Sequence, residues 1–173
     1  MKNEVINAIF QRRSIRKFTE QPVEKEKVQL LLQAGMAAPS ATNSQPWEFI
    51  VVDDADVLKK LKQNLPLARY NSPLCMVVCG SPEITTKKTA ARMFWIQDCS
   101  AATENILIAA VGLGLGTVWC GVHPVFIFEG RIRAVLGIPR KVIPLGVIQI
   151  GYPAENKEAG TKYKESRVHW QKY

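Results

Sequence analysis

The 173-residue chain has no apolar run that reaches the ~18 residues a membrane-spanning helix requires, so none of it is expected to cross a bilayer in that form. Its opening, MKNEVINAIFQRR, lacks the apolar stretch of a secretory signal, because Asn3, Glu4 and Asn7 interrupt it, and this points to the cytoplasm. Histidine is scarce. His123 and His169 stand far apart, with no acidic or thiol neighbours at ligand spacing, so no metal site is expected. Cys75, Cys79, Cys99 and Cys120 form no CxxC pair and sit among apolar or small residues, the pattern of buried, reduced thiols. The chain also lacks internal repeats and linkers, and its length suits one domain over residues 1–173.

Acidic residues are in deficit: 23 Lys and Arg face 15 Asp and Glu, a net charge of +8. The excess is concentrated at the two ends. Residues 1–20 carry five basic residues against two Glu, and residues 156–173 again carry five against two. A nucleic-acid binder spreads basic residues along a face and interleaves aromatics, which the middle of this chain does not do. A small, highly charged ligand held between the termini accounts for the pattern as well.

Apolar periodicity predicts helices over residues 4–12 and 22–38, a strand in WEFIVVDD, a short helix in DADVLKKLKQNL and a strand in PLCMVVCG. From about Thr89 to Val111 a long helical pattern is apolar or small around nearly its whole circumference. Such a helix is expected to thread the core and to pack against a second copy of itself, with Ala102 and Ile106 as positions to test, and so to form a homodimer. TVWCG reads as a strand, PVFIFEGRIRAVLGI as a helix and KVIPLGVIQIGY as a strand. Strands that do not alternate strictly with single helices indicate an α+β layered fold.

Three stretches carry candidate chemistry. RRSIRKF sets Arg12, Arg13 and Arg16 around Ser14, which suits a phosphate clamp or a solvated basic helix end. GLGLGTVW follows a helix, whereas the dinucleotide fingerprint follows a strand; its glycines fit close backbone approach or plain turn chemistry. PSATNSQPW presents five neutral polar side chains beside Trp47 and reads as a loop that satisfies its own backbone or contacts a ligand. Neutral amides, a phosphate clamp and open backbone at Gly121 together suit flavin mononucleotide (FMN), whose ring has a mixed donor and acceptor edge and whose tail ends in a phosphate.

RRSIRKF, AAPSATNSQPWEFIVV, FWIQDCSAATENILIAAVGLGLGTVWCGVHP, LGIPRKVIPLGVIQIGYP and KYKESRVHWQKY resemble, in this order and over nearly the whole chain, the FMN-dependent nitroreductase family. The resemblance implies a nitroreductase-like layered fold with a central, mostly antiparallel sheet flanked by helices. It also implies a homodimer with FMN at the subunit interface, reduced by NADH or NADPH and reoxidised by a small-molecule acceptor such as a nitroaromatic or quinone. Arg12, Arg13, Ser14 and Arg16 match the segment that grips the phosphate and the pyrimidine side of the flavin. Pro39, Ser40, Ala41 and Asn43 match the loop laid against it by the partner subunit, with Gln45 and Trp47 in support. Val118, Trp119, Cys120 and Gly121 match the backbone beside the reactive edge of the ring, and Lys162 and Lys164 match the phosphate contacts of the tail. Lys162 stands where Arg is common, and VWCGVHP replaces the Pro-Ile-Glu-Gly segment of larger members. No side chain is assigned as catalytic acid or base, because the flavin carries the chemistry. The alternatives are a specialised flavin enzyme of the same fold, dehalogenase-like or flavin-cleaving, and a basic nucleic-acid-binding protein.

Overall fold

The computed structural model describes residues 3–85 and 89–173. The chain runs α1 (Glu4–Gln11), α2 (Lys25–Met36), β1 (Trp47–Val52), α3 (Ala55–Asn64), β2 (Leu74–Gly80), α4 (Pro82–Thr85), α5 (Thr89–Met93), α6 (Trp95–Gly112), β3 (Gly116–Gly121), α7 (Phe126–Leu136) and β4 (Ile143–Gly151). Local chemistry sets several of these boundaries. The Asn3 side chain accepts from the backbone N–H groups of Val5 and Ile6, and Asp54 does the same for Asp56 and Val57, so α1 and α3 both start on side-chain caps. Helix α7 stops where Gly137 takes φ 66°, the left-handed conformation that glycine adopts without steric penalty.

The four strands form one antiparallel sheet in the order β1-β2-β4-β3. Every residue of β2 and nearly every residue of β4 is buried, since both strands are central and covered on both faces. This is why their sequences read as apolar runs with little alternation. One face packs Leu58 and Leu61 of α3 and Ile132 of α7 against Cys75, Val77, Val118 and Val147. The other packs Leu31 of α2 and Ala102 and Ile106 of α6 against Met76, Val78, Ile148 and Ile150. The α+β layered architecture is therefore the expected one.

The long helix departs from its expected outline. It is divided at Phe94 (φ −93°, ψ 4°), where the Phe94 N–H turns to the Ala91 carbonyl in a tightened, 3-10-like step. Immediately beyond the break the Trp95 indole lies against Gly80, so close that a Cβ at Gly80 would collide with it. That contact fixes where α6 begins. Nor is α6 buried all round. Asp98, Cys99, Ala102, Thr103, Ile106 and Ala110 are buried, whereas Ile96 and Gln97 are exposed and Ala101 and Ile108 only half-buried. Among the described residues no helix is long and apolar enough to cross a membrane.

Candidate functional site

After α1 the chain runs extended along the free edge of β3. Ser14 forms a parallel bridge with Thr117, the Ile15 N–H donates to the Thr117 carbonyl (2.9 Å), and Phe18 bridges Pro153. An extended segment sends alternate side chains to opposite sides, and Arg12, Arg13 and Ser14 are divided accordingly. Arg12 and Ser14 line a pocket of about 320 Å³ with Glu104 and Leu107 of α6 and Thr117, Trp119 and Gly121 of β3. Arg13 turns to the other side, where its Nε donates to the Glu158 carbonyl (2.6 Å). Arg16 reaches back over Tyr70, donating from Nε to the phenol oxygen (3.2 Å). Two of the four expected residues thus share a pocket, and the other two hold neighbouring segments.

Strand β3 divides in the same manner. Thr117 offers its carbonyl to Ile15, so its backbone polar groups point away from β4. By the two-residue period of a strand, those of Trp119 and Gly121 also point to the free edge. Val118 and Cys120 do the reverse: their backbones face β4, and their side chains sit in the core on the opposite face, with Cys120 Sγ donating to the Leu67 carbonyl (3.0 Å). Of the stretch Val118–Gly121, only Trp119 and Gly121 present themselves to the pocket. Trp119 lies across Gly146, where a Cβ would collide with the indole, and no atom lies within 4 Å of the position a Cβ would take at Gly121. The pocket therefore has an aromatic wall and an open backbone edge.

The loop PSATNSQPW is held in a strained shape. Thr42, Asn43 and Gln45 take φ of 54°, 56° and 49°, a left-handed conformation that costs non-glycine residues about 1–2 kcal/mol each. Asp98 supplies the restraint: one carboxylate oxygen accepts the Ala41 N–H (3.0 Å) and the other lies 3.5 Å from Ser44 Oγ. Ser40 Oγ accepts the Gln45 N–H at 2.9 Å. Pro39, Ser40 and Ala41 line a second pocket, of about 330 Å³, with Phe94, Gln97 and Ala101. Asn43 lies outside it, exposed, with its side-chain oxygen accepting from Gln45 Nε2 (3.3 Å), and Trp47 is buried in the core. The loop and the Arg12 pocket are separate.

The C-terminal segment folds back over RRSIRKF. Glu155 Oε1 accepts the backbone N–H groups of Arg16 (2.5 Å) and Lys17 (3.3 Å), and Lys157 Nζ donates to the Ser14 carbonyl (2.6 Å). The Arg16 N–H, aided by Lys157, holds the Glu155 carboxyl below the ordinary carboxylate range. The Gly160 N–H donates to the Phe10 carbonyl (3.0 Å), which brings the start of the tail beside the first segment; Lys162 and Lys164 follow, exposed and outside the Arg12 pocket.

Three contributors escaped the sequence reading. Glu104 pairs with Arg12 (3.1 Å), Asp98 restrains the loop, and His123 Nδ1 lies 2.8 Å from Glu129 Oε1 with its ring edge on Trp95. Asp98 was the most legible of these, because a carboxylate inside an apolar helix needs a partner. Burial pushes the Cys79 and Cys99 thiols up to about 12 and Cys75 up to about 11. These are properties of packed, unreactive cysteines.

The chain belongs to the nitroreductase family, whose sequence profile matches residues 9–66 and 67–152. It is 41% identical to an Archaeoglobus fulgidus protein provisionally named an NADH dehydrogenase/NAD(P)H nitroreductase, over 98% of this chain and 99% of that one. An FMN-dependent nitroreductase from Clostridium difficile R20291 superposes with a TM-score of 0.88 at 34% identity, covering 97% of this chain and 99% of that one. The Vibrio harveyi NADPH:FMN oxidoreductase, solved with NAD+, superposes with a TM-score of 0.85 at 27% identity, over 99% of this chain and 78% of the other.

Proposed function

We propose that this protein is a homodimeric, NAD(P)H-dependent FMN oxidoreductase that reduces an electron-poor small molecule, a nitroaromatic or a quinone. The observation that carries the reading is the pocket beside β3, where Arg12, Ser14, Trp119 and the open position at Gly121 come together. The groups present fit FMN. Volume, an aromatic wall and a few convergent polar groups are what a cofactor cleft needs, and the exposed backbone groups of Trp119 and Gly121 suit a ring edge that both donates and accepts. Arg12, with Lys162 and Lys164, would hold the phosphate, and Ser14 would add a short donor. Arg13 and Arg16 act one step away: Arg13 fixes the tail, and Arg16 closes over Tyr70.

When bound, the flavin would supply the redox chemistry, hydride transfer between the nicotinamide and the acceptor. The protein orients the ring and excludes water. The separation of the polar loop from the Arg12 pocket supports a site shared by two subunits, with the loop of a second copy completing the cleft. Half-buried Ala101 and Ile108 and the exposed apolar face of α1 (Val5, Ile6, Ile9, Phe10) supply apolar surface for such an interface. The deciding experiment is to purify the protein, release the chromophore by heat and identify it chromatographically. About one FMN per subunit is expected; recovery of FAD, or failure of apoprotein to take up FMN, overturns the reading.

A further inference from the structure

The opposite face of the sheet carries a further recess, of about 740 Å³, between α3 and the 3-10 turn Pro66–Ala68. Its lining includes Leu58, Lys59, Lys62, Gln63, Arg69 and Tyr70: three cations, an aromatic ring, an apolar floor and no carboxylate. Lys62 is already engaged, donating from Nζ to the Ser72 carbonyl (2.6 Å), and partial burial lowers its tendency to hold a proton. Lys59 and Arg69 differ from it. Among the described residues neither side chain makes a hydrogen bond or ion pair, so their charge is uncompensated.

The recess shares no lining residue with the proposed flavin pocket, but the turn that borders it reaches β3. The turn before Arg69 touches β3 where Cys120 Sγ meets the Leu67 carbonyl (3.0 Å), while Trp119 and Gly121 of the same strand face the other way into the first pocket. Arg16 provides a second link. It follows Ser14 in the extended segment and lies over the Tyr70 ring, 6.0 Å from its centroid. The two recesses therefore flank one strand end.

From this arrangement, and resting on the oxidoreductase reading above, we infer that the recess takes the adenosine 2′-phosphate end of the dinucleotide, so that the protein prefers NADPH to NADH. A dinucleotide whose nicotinamide reaches the Trp119–Gly121 edge must place its adenosine elsewhere, and the recess offers a base an apolar lining from Ala55, Leu58 and the part of Tyr70 that Arg16 leaves uncovered. The dianionic 2′-phosphate is the feature NADH lacks. Lys59 and Arg69, free of internal partners, are the groups that would bind it, Arg69 with the planar fork that matches phosphate oxygens.

The test uses the full-length protein and needs no turnover. Calorimetric titration with adenosine 2′,5′-bisphosphate and with adenosine 5′-monophosphate should show the bisphosphate binding at least about tenfold more tightly, the size expected for one charge-assisted contact. Lys59→Ala and Arg69→Ala should each erode that preference, and inorganic phosphate should compete with it. Equal binding of the two nucleotides, or a preference unchanged in both variants, overturns the inference. FMN content is read from the visible absorbance of the same samples. Preference without FMN would sink the redox reading and leave the recess as a nucleotide site; FMN without preference would sink the recess alone. If Arg69→Ala loses FMN, Arg69 belongs to the flavin and not to this recess.

Discussion

Asp98 of α6 accepts the backbone N–H of Ala41 at 3.0 Å and so holds a loop with three non-glycine residues at positive φ onto the start of the long helix. The carboxylate is buried, and its two oxygens divide between Ala41 and Ser44. Asp98→Ala removes both acceptors and should lower stability by about 1.5–3 kcal/mol, the range for hydrogen bonds to a charged group. Asp98→Asn keeps one acceptor and should lose less. Urea denaturation of the apoproteins measures the first effect. FMN titration measures the second: if the loop contacts flavin, affinity should fall in the same order.

Gly121 allows fold and function to be separated. A side chain there meets nothing within 4 Å and needs no positive φ, so Gly121→Val should shift stability by no more than about 0.5 kcal/mol. It would project into the pocket, and FMN affinity should fall at least about tenfold, a loss of roughly 1.4 kcal/mol. Gly146→Ala is the counterpart: its Cβ collides with the Trp119 indole, which must move, at a cost of about 1–3 kcal/mol in an otherwise packed region. Unfolding curves should therefore separate the two variants, with Gly146→Ala destabilised and Gly121→Val close to the unmodified protein, while FMN titrations should show affinity lost in both, because the displaced Trp119 indole is itself a wall of the pocket.

Periodicity located every strand and the principal helices because each buries a continuous face, as with Leu58 and Leu61 of α3 or the apolar run of β2. It missed the break at Phe94, because the contact that ends the helix, Trp95 on Gly80, joins residues distant in sequence and leaves no local signal. Ala102 and Ile106 show the same limit. Both were attractive as interface positions in a helix apolar all round, yet both are fully buried against the subunit's own sheet. Composition shows that a residue is apolar; only the sheet's position decides which way it faces. Motif pointed to Ser14, Trp119 and Gly121, which line one pocket, whereas the opposite directions of Arg12 and Arg13 follow from an extended segment that the helical reading of residues 4–12 does not specify.

Arg12 is paired with Glu104 at 3.1 Å, and both side chains are about a third or more exposed. An ion pair of that exposure contributes about 0–1 kcal/mol to stability, so its worth to the fold is small. If Arg12 holds the flavin phosphate as proposed, Arg12→Ala should nevertheless weaken FMN binding about tenfold to a hundredfold, the worth of a charge-assisted contact of roughly 1.5–3 kcal/mol. Glu104→Gln frees Arg12 and should leave affinity equal or higher. Titration of each apoprotein at fixed salt distinguishes these outcomes.

The thiols predict an alkaline limit. Burial raises Cys79 and Cys99 to about 12 and Cys75 to about 11, from an ordinary value of 9.0. Between these values the folded chain keeps protons that the unfolded chain releases, so the contribution is fully present below pH 9 and is lost as pH rises through the folded values. Denaturation midpoints should hold up to about pH 9 and fall above it. At pH 8 an aromatic disulfide reagent should label the native protein slowly and the urea-unfolded chain promptly.

The proposed sharing of the site between two copies is best tested on the face of α6 that the fold leaves open. Ala101 is half-buried and lines the pocket formed with Pro39, Ser40 and Ala41, and Ile108 lies two turns further along. Ala102→Arg or Ile106→Arg would force a charge into the subunit's own core and unfold it, and so could not report on assembly. Ala101→Arg and Ile108→Arg leave that core intact, so circular dichroism should show folded protein. In a dimer they would place like charges in apolar packing, at a cost of several kcal/mol once a buried charge lacks a partner. Light scattering should then give the mass of a monomer, and FMN content should fall with dimer content. A folded monomer that binds FMN as tightly as the unmodified protein would show that one subunit suffices, and the polar loop would then need a different role.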